Sequence, residues 1–361
     1  MNIPPEGAAL LTFVKASLGP APVAPVKCPS PLDWTVLGGL ARHHRLGPLL
    51  YFGLRQSRLA GIPDWLRADW EEQHLHAIAT GLYNELVLDE IAAAFDRRQV
   101  PFILLKGEGL SRALYPEAWL RPSYDIDLLI RSESYDAAKV ILADLGFRLR
   151  HPSTEEEKRR IFGEVEFDRE GPRTLTVDLH WDTLMASWEP QSLFSDRDTW
   201  SSVDWIHLRE RDVAILGGET QLLHLCVHLA FHHVFDGLLL LCDLYLLLGR
   251  DAGRIDWDRL LALAGRCRCR HALYFSLSMV DTLMAAEVPS SVLDRLRPSA
   301  TTRHLMPTGR LLFRDSPAPQ MLERYVKFLL IDTGEGRWRA LRSWLHSSKP
   351  FRGKERMPKR G

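Results

Sequence analysis

The first hundred residues carry apolar side chains at helical spacing and no motif with an evident chemistry. The spacing predicts helices over residues 1–18, 33–56 and 63–98, with a break at the Gly-Pro step inside the second. A proline-rich stretch, residues 19–31, predicts an irregular connection between the first helix and the second. We therefore expect an N-terminal helical region, residues 1–97.

Short extended runs replace the helical pattern after residue 100. Residues 101–105 form an apolar run that suits a buried strand, and a turn with two glycines follows it. Two further runs, residues 161–168 and 174–181, are joined by Glu-Gly-Pro and predict a hairpin. Leucines return at helical spacing beyond residue 221. The pattern predicts an α+β protein in which helical regions flank a small mixed sheet.

The composition and charge of the chain limit the binding partners and the cellular compartment that we expect for it. The chain has 46 basic and 46 acidic residues, so its net charge gives no argument for nucleic acid or an anionic membrane as a partner. The longest apolar run, residues 238–248, is too short to span a bilayer, and the N-terminus lacks the basic start of a signal peptide. The 5 cysteines are scattered, with no Cys-x-x-Cys pair. We therefore expect a cytoplasmic protein with no membrane partner and no nucleic-acid partner.

Three aspartates on predicted strands give the strongest chemical signal. Asp125 and Asp127 lie two positions apart, so a strand projects both carboxylates from one face. Asp178 lies on a later strand and shares its face with His180. Neighbouring carboxylates repel each other unless a cation lies between them, and Mg²⁺ prefers such oxygen ligands. The trio predicts a site for two Mg²⁺ ions, with Mn²⁺ as the substitute, that act on a triphosphate and on an attacking oxygen.

Three residues near these aspartates suit a phosphate chain. Lys106 and Gly107 form a turn before a helix, where backbone N–H groups can point at a phosphate. Arg121 comes four positions before the first aspartate and can neutralise phosphate charge. We predict that these three residues bind a nucleotide. The alternative is structural: Lys106 pairs with Glu108, and Arg121 caps a loop.

Several short motifs in this part of the chain form one combined pattern. They are Leu105-Lys106-Gly107, Tyr115-Pro116, Arg121-Pro122, Asp125-Ile126-Asp127-Leu128-Leu129 and Val177-Asp178-Leu179-His180-Trp181. The pattern resembles the DNA polymerase β-like nucleotidyltransferase superfamily and, within it, a bacterial family of uncharacterised nucleotidyltransferases. A segment at residues 41–51 and a helical stretch at 222–243 resemble that family too, so the resemblance spans roughly residues 37–273.

The resemblance implies a fold and a reaction. A nucleotidyltransferase domain, residues 98–204, would follow the N-terminal helical region and precede a C-terminal helical domain, residues 205–341. The implied reaction is Mg²⁺-dependent transfer of a nucleoside monophosphate from a nucleoside triphosphate such as ATP to an acceptor hydroxyl. Asp125 and Asp127 would bridge both metals, and Asp178 would bind the metal at the acceptor oxygen. The acceptor is open: a small molecule, a sugar or a protein side chain.

The chain departs from the superfamily at the phosphate turn. A Gly-Ser pair, whose serine helps to hold the γ-phosphate, is replaced by Lys106-Gly107-Glu108-Gly109. One alternative is therefore a catalytically inactive protein of the same fold that binds a nucleotide or a partner.

A row of histidines supports a second alternative. His224, His228 and His232 recur at intervals of four, the spacing of a zinc site on a helix, which favours a metal-dependent hydrolase. There are two other interpretations. The histidines are packed in the interior, or they form a wall of the acceptor pocket in which His228 contacts the substrate. His180 is interpreted as a residue that supports the metal ligands, as a substrate contact or as a proton acceptor. The competing interpretation is a core partner of Trp181.

The last segment, residues 342–361, holds seven basic residues and one acidic residue, Glu355. This composition predicts a flexible tail, with an electrostatic arm for an anion as the alternative.

Overall fold

A seven-stranded mixed sheet with two acidic strands at its centre organises the molecule. The computed structural model describes residues 3–20, 24–27, 31–156, 163–181, 197–314 and 318–346. The strands lie in the order β5-β6-β7-β4-β3-β9-β8. Their bounds are β3 (Phe102–Leu104), β4 (Asp125–Ile130), β5 (Arg148–Leu149), β6 (Glu164–Arg169), β7 (Leu175–His180), β8 (Val203–Leu208) and β9 (Arg211–Leu216).

Helices precede the sheet, as the periodicity predicted. They are α1 (Pro5–Leu18), α2 (Trp34–His43), α3 (Gly47–Arg55) and α4 (Asp64–Arg97), and a two-residue parallel pair, β1 (Val26–Lys27) and β2 (Leu59–Ala60), lies among them. The Gly-Pro step separates α2 from α3, because proline is tolerated in the first turn of a helix and not in its interior.

Helices also follow the sheet, and three of the α-helices in the described part of the chain lie between its strands in sequence. Within the sheet region are α5 (Lys106–Leu114), α6 (Tyr135–Asp144) and α7 (Arg197–Ser201). After it come α8 (Gly218–Val227), a π-helical turn (His228–His232), α9 (Leu238–Arg250), α10 (Trp257–Arg266), α11 (Arg270–Met284), α12 (Ser290–Leu296), α13 (Ala300–Leu305), α14 (Thr308–Leu312), α15 (Gln320–Leu330) and α16 (Gly334–His346). The predicted α+β class is confirmed.

The two faces of the sheet pack differently because side chains alternate along each strand. Ile126 and Leu128 of β4 and Val177 and Leu179 of β7 lie in an apolar core with α4 and α6. The opposite face carries the aspartates, and its apolar margin, which includes Leu129, joins a second core with the surrounding helices. The helical regions therefore cover the acidic face of the sheet.

The helical regions on the two sides of the sheet share that second core. Phe13 of α1 and Leu49 of α3 belong to the same buried cluster as Leu222 of α8 and Leu330 of α15. A Cβ atom on Gly7 would lie 2.7 Å from the ring of Phe313, so α1 packs closely against the segment that follows α14. The first and last thirds of the chain therefore form one packed unit around the sheet.

The sheet extends beyond the boundary that we expected at residue 204. That boundary falls inside β8, and β9 pairs in parallel with β3 through Leu104 and Ile215. We propose that the catalytic unit runs to Leu216. At the other end, α16 reaches into the predicted tail, and residues 347–361 lie outside the described part of the chain.

No helix within the described residues combines the length and the apolar character that crossing a membrane requires. The four cysteines that the structure describes are buried thiols: Cys226, Cys242, Cys267 and Cys269.

Candidate active site

Two neighbouring central strands bring aspartates together on the acidic face. Strands β4 and β7 are parallel, and their register pairs Asp127 with Asp178 and Asp125 with Thr176. Because these positions share one parity, all three aspartates project from the same face of the sheet. The side chains of Asp127 and Asp178 are buried, at 2% and 3% relative exposure, whereas Asp125 is half-buried at the start of β4.

A lysine and a histidine contact the buried Asp127 carboxylate. Lys106, at the start of α5, donates from Nζ to Asp127 Oδ1. His180 lies on the adjacent strand, with Nε2 3.1 Å from the same oxygen. The other ring nitrogen of His180, Nδ1, lies 3.2 Å from Oε2 of Glu164, its cross-strand neighbour on β6. Each ring nitrogen of His180 therefore lies next to a carboxylate, and these two contacts fix the orientation of the imidazole ring.

Asp127, Asp178 and His180 form a close group that suits a divalent cation. Each offers one ligand atom, and these atoms lie within 4.8 Å of one another. Carboxylate oxygens suit Mg²⁺ and Mn²⁺, and an imidazole nitrogen is accepted more readily by Mn²⁺ than by Mg²⁺. Asp125 lies two positions earlier on the same face and is not in this close group; Ser123 Oγ lies 3.3 Å from its Oδ1. The donor set fits one divalent ion directly, with Asp125 beside it.

Gly107 shapes the turn between β3 and α5. Its backbone adopts φ +47° and ψ −115°, a conformation that is strongly unfavourable for any residue with a Cβ atom. A Cβ atom there would lie 2.7 Å from Ser123 Oγ. This turn brings the chain against Ser123, whose hydroxyl donates to the backbone oxygen of Asp125 over 3.0 Å. Glycine is therefore required for the close approach of the turn to the acidic strand.

Arg121 forms a buried ion pair with a helix of the C-terminal region. Its Nε and Nη2 each lie 2.8 Å from a carboxylate oxygen of Asp243 on α9, and Tyr115 Oη donates to Asp243 Oδ1 over 2.8 Å. Burial acts to lower the pKa of Arg121, but the charge and hydrogen bonds of Asp243 outweigh it and raise the pKa. The Nε and Nη2 edge of the guanidinium is engaged by Asp243, and Nη1 lies 3.5 Å from the backbone oxygen of Gly107, so the geometry favours an anchoring role over the predicted phosphate contact.

Glu108 does not pair with Lys106, contrary to the structural alternative for that lysine. Its Oε1 accepts a 2.7 Å hydrogen bond from Asn84 of α4, and its Oε2 lies 3.5 Å from Arg112. Burial raises the pKa of Glu108, and the Asn84 hydrogen bond and Arg112 oppose that rise. Lys106 is thus left to the carboxylates of the sheet.

A comparison with known protein families bears on this site. The family described as uncharacterised nucleotidyltransferase matches residues 30–285, which include the whole sheet and the helices on both sides of it. The chain belongs to that family. No curated protein gives a significant match. The predicted family resemblance is confirmed, and the chain is accordingly identified as a nucleotidyltransferase.

In this nucleotidyltransferase, the histidine row begins at the acidic face. His224 of α8 is buried, and burial, together with the charges of Lys106 and His180, lowers its pKa to about 3, while Asp127 opposes the shift. The ring of His228 lies 6.0 Å from that of His224 and 5.0 Å from that of His232, measured between centroids. Helix α8 therefore covers the carboxylates with a neutral imidazole and continues away from them.

The histidine row does not supply the metal site of the hydrolase alternative. Among the residues that the structure describes, His224, His228 and His232 contribute to no group of three close ligand atoms. His228 instead lies 3.0 Å from His233, Nε2 to Nε2, and burial lowers the pKa of His228 well below its usual value. Packed, hydrogen-bonded histidines describe this row better than a zinc site does.

A second group of possible ligands lies between α2 and the turn before α9. His43, His44 and Asp236 each place one ligand atom within 4.8 Å of the others, and His43 Nε2 lies 2.7 Å from Asp236 Oδ1. The Leu238 backbone N–H donates to His44 Nδ1 over 3.3 Å, which leaves the proton of a neutral ring on Nε2. A protonated Nε2 cannot bind a metal, so this group is better suited to joining two helical segments.

Sequence reasoning did not assign a role to Glu164, Ser123 or Arg45, all of which lie near the acidic strands. Glu164 and Ser123 carried no motif of their own in the sequence. Arg45 follows a histidine inside the segment at residues 41–51 that resembles the family. The resemblance of this segment was the sequence feature that could have pointed to Arg45. The structure places Arg45 beside the loop that leads into β4.

Proposed function

We propose that the protein transfers a nucleoside monophosphate from a nucleoside triphosphate to an acceptor hydroxyl and that it depends on a divalent cation. The observation that carries the proposal is the parallel pairing of Asp127 with Asp178, next to His180, in a chain of the nucleotidyltransferase family. Two buried carboxylates on adjacent strands are costly without a cation, and nucleotidyl transfer makes use of such a cation.

The metal ligands in this proposal are Asp127 and Asp178, joined by Asp125 and with His180 as a further ligand or as a support for Asp127. A bound Mg²⁺ or Mn²⁺ would offset phosphate charge and lower the pKa of the acceptor hydroxyl. Glu164 would orient His180 through the 3.2 Å contact between Oε2 and Nδ1, as carboxylates commonly do for metal-binding imidazoles.

Lys106 has a role on the donor side of the same proposal. Its ammonium group pairs with Asp127, the residue that a cation would also occupy. With a divalent ion on that carboxylate, the Lys106 ammonium, two residues from the end of β3, would be available to offset phosphate charge. The Gly107 turn holds the start of α5 close to Ser123 and so fixes the position of Lys106.

The helices on the acidic face exclude water from the reacting groups. His224 stays neutral beside Lys106 and His180, so it adds no positive charge that would compete with a cation. The acceptor is not defined by these contacts. We keep a small molecule, a sugar and a protein side chain as candidates.

The test is label transfer in cell extract, with each nucleoside triphosphate labelled on the α-phosphate and, separately, on the γ-phosphate. We expect the α-label, and not the γ-label, to appear on an acceptor in the presence of Mg²⁺ or Mn²⁺. Asp127→Asn should lower this transfer by at least about 10³-fold, because it removes a charge that acts in the transition state.

Asp212→Asn is the matched control, since Asp212 is an exposed aspartate on β9 of the same sheet. This control should transfer label as the wild type does. Equal transfer by wild type and Asp127→Asn would place the chemistry elsewhere. Divalent-dependent nucleotide binding without transfer to any acceptor would support the inactive, nucleotide-binding alternative instead.

A further inference from the structure

Helix α2 ends in a turn that usually contains glycine. The N–H of Arg45 donates to the carbonyl of Arg42 over 3.1 Å, and the N–H of Leu46 donates to that of Ala41 over 2.9 Å. These two bonds define a Schellman motif, whose penultimate position requires a left-handed backbone. Arg45 occupies that position with φ +58°. The chain tolerates other side chains at such turns, including Arg268 after α10 with φ +53°, so the backbone alone does not reveal a role.

The surroundings of Arg45 distinguish it from those other residues. Its guanidinium carbon lies 5.9 Å from the ring centroid of Tyr124, the residue directly before Asp125. Burial lowers the pKa of Arg45, and the positive charge of Arg121 lowers it further, while Asp125 and Asp243 act in the opposite direction. The half-buried guanidinium therefore lies beside the residue that precedes the acidic strand, where the charges of Arg121, Asp125 and Asp243 all act on it.

Three other cations of this region already have partners. Arg173 donates to Asn84 Oδ1 and, over 3.4 Å, to the backbone oxygen of Tyr124, and the other two have carboxylate partners. Lys106 pairs with Asp127, and Arg121 pairs with Asp243 through Nε and Nη2. Within the described part of the chain, no hydrogen bond and no ion pair engages the guanidinium of Arg45. A planar guanidinium with free donors, held in a half-buried position, suits bidentate binding of a phosphate group.

We propose that Arg45 binds the polyphosphate of the donor nucleotide and supplies the grip that the missing Gly-Ser serine provides elsewhere in the superfamily. This inference rests on the proposed nucleotidyl transfer. The N-terminal helical region thereby contributes a substrate-binding residue to a site whose metal ligands come from the sheet.

Inorganic tripolyphosphate is the probe, because it carries the phosphate chain without a base. Calorimetry in MgCl₂ at fixed ionic strength should give a dissociation constant for the wild type. Arg45→Gln should raise that constant by about 10- to 100-fold, the effect of losing a charge-assisted bidentate contact. Arg45→Lys should fall between the two, since lysine keeps the charge but not the fork.

A glycine variant separates binding from folding. Arg45→Gly should lose the same affinity while its melting temperature equals or exceeds that of the wild type, because glycine suits the left-handed turn. Arg268 gives the matched control, as an exposed arginine in the same kind of turn. Arg268→Gly should also keep or raise the melting temperature, and Arg268→Gln should bind tripolyphosphate as the wild type does.

Three results would overturn the inference. Wild-type affinity in both Arg45→Gln and Arg45→Gly would remove Arg45 from the site while leaving Asp127-dependent label transfer intact. An equal loss of affinity in Arg268→Gln would show a general charge effect in place of a site. If the wild type binds neither tripolyphosphate nor any nucleoside triphosphate, the proposed function fails, and this inference fails with it.

Discussion

The buried ion pair between Arg121 and Asp243 gives the sharpest prediction for stability. Asp243 is fully buried and accepts three hydrogen bonds at 2.8 Å, two from Arg121 and one from Tyr115. Asp243→Asn keeps the shape but removes the negative charge and one acceptor oxygen. Arg121, at 5% exposure, then stays buried without a counter-charge.

The cost of that change follows from the geometry. Each hydrogen bond to a charged group contributes about 1.5–3 kcal/mol, and leaving one member of a buried pair uncompensated costs about 3–5 kcal/mol. The asparagine oxygen still accepts one hydrogen bond, so we expect a loss of about 3 kcal/mol in the free energy of unfolding. Urea denaturation followed by circular dichroism measures this loss.

Two further variants make the experiment decisive. Asp144→Asn removes the partner of Arg98, an ion pair of 2.6 Å whose side chains are both more than half exposed. It should cost under about 1 kcal/mol, because solvent screens such pairs. Replacing the buried pair together, as Arg121→Met with Asp243→Leu, should recover most of the stability. A loss below about 1 kcal/mol in Asp243→Asn would refute the anchoring role and restore Arg121 as a candidate for phosphate binding.

Two other predictions concern the turn and the buried histidines. Gly107→Ala should lower the free energy of unfolding by about 1–3 kcal/mol, because of its φ of +47° and the contact with Ser123; Gly39→Ala, on an open surface of α2, should leave stability unchanged or raise it in the same urea titration. Burial lowers the pKa of His44 to about 4 and that of His224 to about 3. The unfolded chain therefore binds more protons below pH 6.5, and stability should fall as the pH decreases from 7. At pH 5 each histidine should cost about 2 kcal/mol, and a free energy of unfolding that does not change between pH 7 and 5 would contradict this.

The sequence predicted the parity of the acidic strands, since alternation along a strand is a local property. Asp125, Asp127 and Asp178 lie on one sheet face as their positions indicated. The partners of the cations depend on tertiary packing and could not be inferred in the same way. Asp243, which binds Arg121, is 122 positions away in sequence, and a local neighbour such as Glu108 was the wrong partner for Lys106.

A pair of strands and one buried helix face were not predicted, because tertiary packing overrides the sequence pattern there. The hairpin of β8 and β9 was missed, although β9 supplies an inner neighbour for β3. Leu82 and Leu86 of α4 recur at helical spacing with Ile91 and Phe95, yet the two leucines are 51% and 50% exposed. The buried face of α4 instead includes Asn84, which bonds Glu108 and the backbone oxygen of Ser123. Asn84, a polar residue that contacts the site, therefore lies on the buried face of α4, and Leu82 and Leu86 lie on its exposed face.

The shared core of the first and last helices has a consequence for how the protein is made. Phe13 packs in one cluster with Leu49 of α3 and with Leu312 and Leu330. Helix α1 can therefore pack on α3 early, but its core is complete only after roughly 300 further residues have been synthesised, which takes about 15–60 s at typical ribosome speeds. Until then part of the apolar side of α1 stays exposed, and the carboxylates of β4 and β7 lack their helical cover until α8 has been synthesised. The period on the ribosome is therefore when this chain most needs a chaperone, and its acidic strands are open to cations before the site is enclosed.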